Sequence, residues 1–234
     1  MTRRIVAWLL CMGLLAGGLP AAAAAEMFEV EDGVLVRYHG TDARVEVPDG
    51  VTAIGETAFR GCTSLEEVLL PDSVRSIGRL AFANATALRT VVFPDRLAEI
   101  GEAAFMACTS LEIGALPEGL ETLGDGVFAY CEALGGTLEL PTGLRELGVK
   151  AFLGCGLTGV VFPEGLQRIG REAFAQCKLR SVTLPESLVE MGSGAFRECA
   201  SLETVTLPAT LAALPDELFR ELSLIHISEP TRPL

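Results

Sequence analysis

The feature that most constrains this chain is a sequence unit of 22 to 24 residues that occurs about eight times. Proline opens each unit, glycine follows seven residues later in the first seven units, and phenylalanine comes four residues after that. The prolines that set the register are Pro48, Pro71, Pro94, Pro117, Pro141, Pro163, Pro185 and Pro208. This period predicts a solenoid, because one unit cannot bury its apolar side chains alone and must stack on its neighbours.

The units follow the pattern L-x-x-V-x-L-P-x-x-L-x-x-I-G-x-x-A-F-x-x-C-x-S. The run LETVTLP, residues 202–208, is rich in β-branched residues and closes with proline, which predicts a short strand. The run IGREAFAQC, residues 169–177, places Ala173, Phe174 and Cys177 on one face of a predicted helical turn, with Gly170 at the bend before it. We therefore predict an α/β fold class with parallel strands on one side and short helical turns on the other.

The boundaries of the repeat region predict a solenoid over residues 46–221 and a capping hairpin over residues 26–45. Residues 28–40 alternate around Asp32-Gly33, a strong hairpin signal, and a hairpin would cover the apolar end of the stack. Two units depart from the pattern. Unit three has Gly114 where valine is usual, and unit four has an extra residue in ALGGTLELP, so we predict irregular strands there.

The N-terminal residues 1–25 have the composition of a cleavable signal peptide. Arg3 and Arg4 precede the apolar run 5–19, and five alanines, residues 21–25, follow Pro20. These features predict a secreted or cell-surface protein. The alternative is a transmembrane anchor, because the uncharged stretch is about long enough to span a bilayer.

The C-terminal residues 222–234 break the repeat. Their sequence resembles the translated transposon-end adapter used in making sequencing libraries, so we predict a non-native tail. A natural capping tail is the alternative.

Cysteine occupies the same slot in six units, three residues after the phenylalanine. These residues are Cys62, Cys108, Cys131, Cys155, Cys177 and Cys199, and Ala85 fills the slot in the remaining early unit. Since alanine serves equally well there, we predict buried, unpaired thiols that act as small apolar side chains. Neighbouring units would stack within disulfide range, so disulfide pairing stays open, with metal binding as a third alternative.

Acidic residues recur after the repeat proline, and the net charge of the chain is −13. The acidic column consists of Asp49, Asp72, Asp95, Glu118, Glu164 and Glu186. We interpret it as a series of solvated turns, with an acidic ridge for a basic partner or weakly held Ca²⁺ as the alternative. Such a charge argues against nucleic acid as a partner, because phosphates would be repelled.

Residues for catalysis are scarce. The two histidines are His39, which we predict to be a solvated residue of the hairpin, and His226 in the tail, so no base stands beside a nucleophile in the repeat pattern. We predict no enzyme activity, no cofactor, no metal site and no small-molecule substrate.

The repeat resembles the BspA-like leucine-rich repeats of bacterial surface proteins. The signature I-G-x-x-A-F-x-x-C carries the resemblance, which covers about residues 46–221. It implies a curved, right-handed solenoid and a role in adhesion or host contact, without naming a ligand.

The strand side is the remaining candidate for function. Alternation predicts that residues two and four positions before each proline face outward. These small, mostly uncharged side chains suit a protein or extracellular-matrix ligand on a host surface, and the alternative is that they only favour strand formation. Two further hypotheses are a structural spacer for another domain and the non-catalytic part of a truncated enzyme. The predicted binding residues are Glu67, Leu69, Thr90, Val92, Thr137, Glu139, Val161, Ser181, Thr183, Thr204 and Thr206.

Overall fold

A computed structural model describes residues 27–211 and 226–228 of the chain. These residues form a solenoid of parallel strands, in which each unit begins at its repeat proline and is numbered from 1 to 8. Each regular unit contributes a two-residue strand before its repeat glycine and a longer strand at its end. The predicted signal peptide and Phe219 lie outside the described residues.

The N-terminal hairpin agrees with the alternation in the sequence. Strands β1 (Phe28–Glu31) and β2 (Val34–Tyr38) pair antiparallel, and Asp32 and Gly33 between them have positive φ angles of 49° and 80°. Two positive φ angles are what a tight two-residue hairpin turn requires. Strand β2 then pairs in parallel with the first strand of unit 1, so the hairpin continues the stack.

Strands that precede the repeat prolines form one side of the solenoid, which we call sheet one. They are β3 (Arg44–Glu46), β5 (Glu67–Leu69), β7 (Thr90–Val92), β10 (Gly136–Glu139), β12 (Leu157–Val161), β14 (Ser181–Thr183) and β16 (Thr204–Thr206), and β17 (His226–Ser228) joins the same side by pairing with β16. Every recorded pairing among them is parallel.

Strands that precede the repeat glycines form a second side, which we call sheet two. They are β4 (Ala53–Ile54), β6 (Ser76–Ile77), β8 (Glu99–Ile100), β9 (Thr122–Leu123), β11 (Glu146–Leu147), β13 (Arg168–Ile169) and β15 (Glu190–Met191). Their recorded pairings are also parallel.

The third side, which we call the turn side, corrects our prediction of short helical turns. Residues 28–211 contain no helix, so the described fold is a β-solenoid and not α/β. In unit 1 the Ala58 amide bonds the Gly55 carbonyl at 3.3 Å, but the Phe59 amide bonds Ala81 of unit 2 at 2.7 Å. An α-helix would use every amide inside one unit and lose these bonds between units.

The core lies between the three sides and is mostly aliphatic, with an aromatic ladder, Phe162 and the buried cysteines as the exceptions. Consecutive repeat phenylalanines stack nearly parallel, with ring centroids 4.8 to 5.7 Å apart. Tyr38 of the hairpin contacts Phe59 at 5.2 Å and so extends the ladder. Among the described residues, no polar or charged residue is buried. The ladder residues are Phe59, Phe82, Phe105, Phe128, Phe152, Phe174 and Phe196.

The repeat glycine has a different role from the bend that we predicted for Gly170. Its φ angle is not in the left-handed region, but a Cβ atom there would lie 2.5 Å from the carbonyl carbon of Gly148 in the preceding unit. The glycine column is therefore required because backbones of successive units approach too closely for a side chain.

The irregular strands predicted in units 3 and 4 are confirmed. Residues 111–117 contain no strand, so sheet one is interrupted between β7 and β10, and sheet two is interrupted between β8 and β9. In unit 4, the extra residue produces a register shift between Gly136 and Thr137. Both sheets are thus discontinuous near the junction of units 3 and 4.

Sheet one has a second interruption, between β12 and β14. It follows Phe162, just as the interruption after β7 follows Phe93, and these two units have phenylalanine where other units have leucine before the proline. At Leu70, Leu140 and Leu184 the amide at this position bonds the next unit, at 3.0 to 3.3 Å. Both breaks coincide with larger rings, since Phe93 lies edge-on to Phe105 next to the strandless residues 111–117 and Phe162 lies edge-on to Phe174.

The segment 222–234, which we predicted to be a non-native tail, contains β17. Its backbone pairs with β16 in parallel, with Val205 opposite Ile227. The alternation Ile-His-Ile-Ser at residues 225–228 suits such a strand whatever its origin, so the prediction about that origin stays a prediction.

Candidate binding surface

Sheet one places the predicted binding residues on its outer face. Of the eleven, Glu67, Leu69 and Thr206 are half-buried and the other eight are exposed. The residues between them in each strand, such as Val68 and Val182, point into the core and are buried. The alternation within each strand thus separates the two faces as predicted.

The outer face of sheet one combines hydroxyl groups with two exposed valines. Val92 and Val161 retain 48% and 51% of their accessible surface. Charge is concentrated at one end, where Arg44 and Glu67 form an ion pair of 3.1 Å, and at Glu139 near the middle. The remaining surface is suited to contacts through hydrogen bonds and apolar packing.

The acidic column runs beside this face, and all six of its side chains are exposed. Glu118 Oε2 accepts hydrogen bonds from the Thr142 amide at 3.0 Å and the Thr142 hydroxyl at 2.8 Å. These bonds lower the pKa of the Glu118 carboxyl, because they stabilise its ionised form. Glu186 Oε2 likewise accepts from the Ala209 amide at 3.2 Å. The glutamates therefore connect neighbouring units while presenting negative charge to solvent.

A cleft of about 560 Å³ joins the sheet face to the acidic column. Val161, Thr183 and Thr206 contribute the sheet side, and Glu164 and Glu186 contribute the acidic side. The cleft lies over the interruption between β12 and β14. Sequence reasoning identified the sheet residues and the glutamates separately but did not bring them together. The sequence signal for the cleft was Phe162, which occupies a position that is leucine in most units.

The repeat cysteines are free thiols in the structure, and all but the half-buried Cys62 are buried. From unit 3 onward each Sγ lies 3.1 to 3.2 Å from the carbonyl oxygen of the ladder phenylalanine in the preceding unit, as in Cys108 to Phe82 and Cys131 to Phe105. Burial raises the pKa of Cys108 and Cys199 to about 12. These thiols stay protonated at neutral pH and are poor nucleophiles.

Other sites for chemistry are sparse in the described chain. The ring of His39 is exposed, and its Nε2 lies 3.3 Å from Glu29 Oε2 across the hairpin. Within residues 27–211 and 226–228, no three His, Cys, Asp or Glu side chains are grouped as metal ligands would be. In the same ranges, no helix is long and apolar enough to span a membrane.

A family model described as the BspA type leucine-rich repeat region matches residues 41–155 and 136–232, with six copies. Together these matches cover most of the sequence. The chain belongs to the BspA-type leucine-rich repeat family. Its I-G-x-x-A-F-x-x-C signature is the short strand, close glycine contact, turn and buried thiol described above.

Solved structures of bacterial proteins with this repeat are similar to the chain. One is a leucine-rich cell surface protein from Faecalibacterium prausnitzii, with 26% identity, a TM-score of 0.70, and coverage of 80% of this chain and 54% of that one. Another is a leucine-rich repeat protein from Bacteroides ovatus, with 25% identity, a TM-score of 0.55, and coverage of 82% and 65%. The chain thus spans between one half and two thirds of their lengths. No curated protein matches it.

Proposed function

We propose that this chain is an exported binding module, at the cell surface or secreted, whose sheet-one face contacts a protein or extracellular-matrix partner. The observation that carries the proposal is the outer face of sheet one, where eight of the predicted residues are exposed and most are uncharged. The similar protein from Faecalibacterium prausnitzii is described as a cell surface protein, which supports the location. The signal-peptide composition of residues 1–25 supports export.

A non-catalytic role is part of this proposal. The buried thiols have raised pKa values, and the hairpin histidine pairs with a glutamate. A nucleophile needs a neighbouring base or a lowered pKa, and the repeat thiols have neither. The repeating pattern itself accounts for the cysteines, glycines and most of the acidic residues, so binding through the variable sheet positions is the function that remains.

The proposal is tested by adding charge to the sheet face. Thr90→Lys and Thr183→Lys introduce long cations on sheet one, and Thr122→Lys makes the same change at an exposed position of sheet two. Binding of the purified chain to bacterial cells, host cells and immobilised matrix proteins is measured for each variant. We expect the sheet-one variants to lose about tenfold in affinity and the sheet-two variant to bind normally, because interface cores exclude unpaired charge. Unchanged binding by all three would favour the spacer role.

A further inference from the structure

We propose that the cleft between β12 and β14 binds an extended, basic segment of the partner protein. In this arrangement an apolar side chain of the segment packs on Val161, and a lysine or arginine lies between Glu164 and Glu186. The inference rests on the proposed function and specifies where on sheet one the partner is held and which chemistry holds it.

The cleft exists because sheet one is interrupted. Phe162 occupies the slot before the proline and packs edge-on against Phe174, with ring centroids 5.6 Å apart. In the matching slot of unit 4, the Leu140 amide donates to Val161 O at 3.0 Å, whereas β12 and β14 are not paired. The break between β12 and β14 therefore coincides with the larger ring, and the cleft lies over that break.

The floor of the cleft offers an exposed apolar contact. Val161 is 51% exposed, and the buried side chains of Phe162 and Leu184 lie beneath it. Ser181 and Thr183 add hydroxyl groups on the next strand. One apolar side chain placed here would pack on Val161 and bury part of its exposed surface.

The rim of the cleft carries the charge. Glu164 and Glu186 stand in corresponding positions of successive units and are exposed. Within the described residues, none of the ion pairs recorded involves either glutamate. The guanidinium of Arg145 lies against Gly165, the residue after Glu164. A cation between them would gain from both carboxylates, and the net charge of −13 would speed the approach of a basic partner.

The dimensions favour an extended segment. The lining residues come from three successive strands of sheet one, which span about 10 Å at the usual strand spacing. An extended chain covers that distance in three or four residues and turns alternate side chains toward the surface. A peptide with an apolar residue and a basic residue two positions apart therefore presents both side chains toward the cleft.

The test uses a fluorescein-labelled peptide of nine residues. Every second residue is serine, and the positions between the serines are lysine and valine in turn. Fluorescence anisotropy measures its affinity at low salt for the wild-type chain and for Glu164→Gln/Glu186→Gln, Val161→Ser and Phe162→Leu. Matched controls are Glu118→Gln in the same acidic column and Val189→Ser, an exposed valine away from the sheet-one face, both outside the cleft. Circular dichroism melting confirms that each variant is folded. A second peptide has glutamate in place of lysine.

We expect each cleft variant to lower the affinity for the lysine peptide by about fivefold or more and each control to change that affinity by less than about twofold. The glutamate peptide should not bind. Phe162→Leu should also slow hydrogen exchange at amide 162, because that amide then bonds unit 6 as Leu140 bonds unit 5. No binding by the wild-type chain, or equal losses in the cleft and control variants, would overturn the inference.

The outcome is separable from that of the proposed function. If Thr90→Lys reduces cell or matrix binding but the cleft variants leave lysine-peptide binding unchanged, sheet one is a binding face and the cleft assignment is wrong. If the cleft binds the peptide as expected but no cell or matrix component binds the chain, the cleft chemistry stands and the proposed function fails.

Discussion

Two residues in each regular unit have left-handed backbone conformations, and they set the path of the turn side. In unit 1 they are Thr57, with φ of 59°, and Gly61, with φ of 72°. The same positions hold Leu80 and Asn84 in unit 2. A side chain in this conformation costs about 1 kcal/mol, because Cβ crowds the following carbonyl. The cost is tolerated because alternate amides then bond the next unit.

Gly61→Ala measures this cost directly. A Cβ at Gly61 would meet no atom within 4 Å, so the substitution adds backbone strain without a clash. We expect the free energy of unfolding to fall by about 1 kcal/mol, read from denaturant melts. Gly114→Ala is the control, because its Cβ also has open space and its φ angle is not left-handed. Equal effects of the two substitutions would contradict the strain assignment.

The cysteine column makes stability depend on pH at the alkaline end. Burial raises the pKa of Cys155 well above its ordinary value of 9.0. The folded state therefore favours the protonated thiol, so this contribution to stability is complete below pH 9 and declines as pH rises toward the folded pKa. The expected decline is about 1.4 kcal/mol per pH unit for each buried thiol.

Cys155→Ala should reduce the alkaline loss of stability by the contribution of one thiol. The measurement is the free energy of unfolding between pH 9 and pH 11. Ala85 occupies the same slot in unit 2 and is fully buried, which supports tolerance of the substitution. An identical slope in the variant and the wild type would mean that the buried thiols do not titrate on unfolding, as disulfide-bonded cysteines would not.

At the scale of the strands, the distance between units is set by the repeat glycines of sheet two. In units 1 to 3 and 5 to 7 the glycine leaves backbone atoms too close to admit a Cβ, with 2.3 to 2.9 Å to the nearest atom. Gly124 of unit 4 is looser, with its nearest contact at 3.3 Å, and it lies next to the break between β8 and β9. At the junction of units 3 and 4, the close contact between backbones is therefore lost together with the pairing of the strands.

Gly170→Ala should be markedly more destabilising than Gly124→Ala. The added methyl at Gly170 would overlap the backbone of Gly148 and Val149 and push two units apart, at a cost of about 2 to 3 kcal/mol typical of overpacking. At Gly124 the neighbouring backbone needs to move only a few tenths of an ångström. Thermal unfolding of the two variants, side by side, measures the difference; a lower melting temperature for Gly124→Ala would contradict it.

Residues 27–211 form a linear stack, and the weakest junction among the described units lies between units 3 and 4. Both sheets are interrupted there. The junction retains core packing, the bond from the Ala133 amide to Thr109 O at 3.0 Å, turn-side bonds such as Phe105 N to Val127 O at 2.9 Å, and the ring contact of Phe105 with Phe128 at 5.4 Å. In a solenoid, stability is nearly a sum of units and of the contacts between neighbours. A weak junction is therefore where cooperativity is first lost.

Phe128→Ala should separate the unfolding of the chain into two transitions. It removes the ring contact at the weak junction, while units 4 and 5 stay joined through both sheets. The loss of a buried phenylalanine costs about 3 to 5 kcal/mol. Phe82→Ala, in a unit with continuous pairing in sheet two, should lower the midpoint but keep one transition. Calorimetry measures both, and one sharp transition in Phe128→Ala would contradict the weak junction.

Sequence alone was sufficient for the solenoid, the core columns, the outward positions of sheet one and the irregular units 3 and 4. These follow from periodicity, because apolar spacing determines which side chains a stack can bury. The same reasoning placed Thr183 and Val161 on the outer face but did not join them with Glu164 and Glu186 in one cleft. That grouping lies over the break between β12 and β14, which depends on how successive units pack.

Only the tertiary structure decided which acceptors the backbone amides bond. The run IGREAFAQC has the spacing of a helical turn, yet in the stack alternate amides, such as that of Phe174, bond the next unit and the helix is lost. Likewise, the sequence suggested that Gly170 is needed for a bend, but glycine is required there because the backbone of the preceding unit leaves no room for a side chain. Both depend on groups more than twenty residues away, so periodicity determined what is buried and contact between units determined the conformation that buries it.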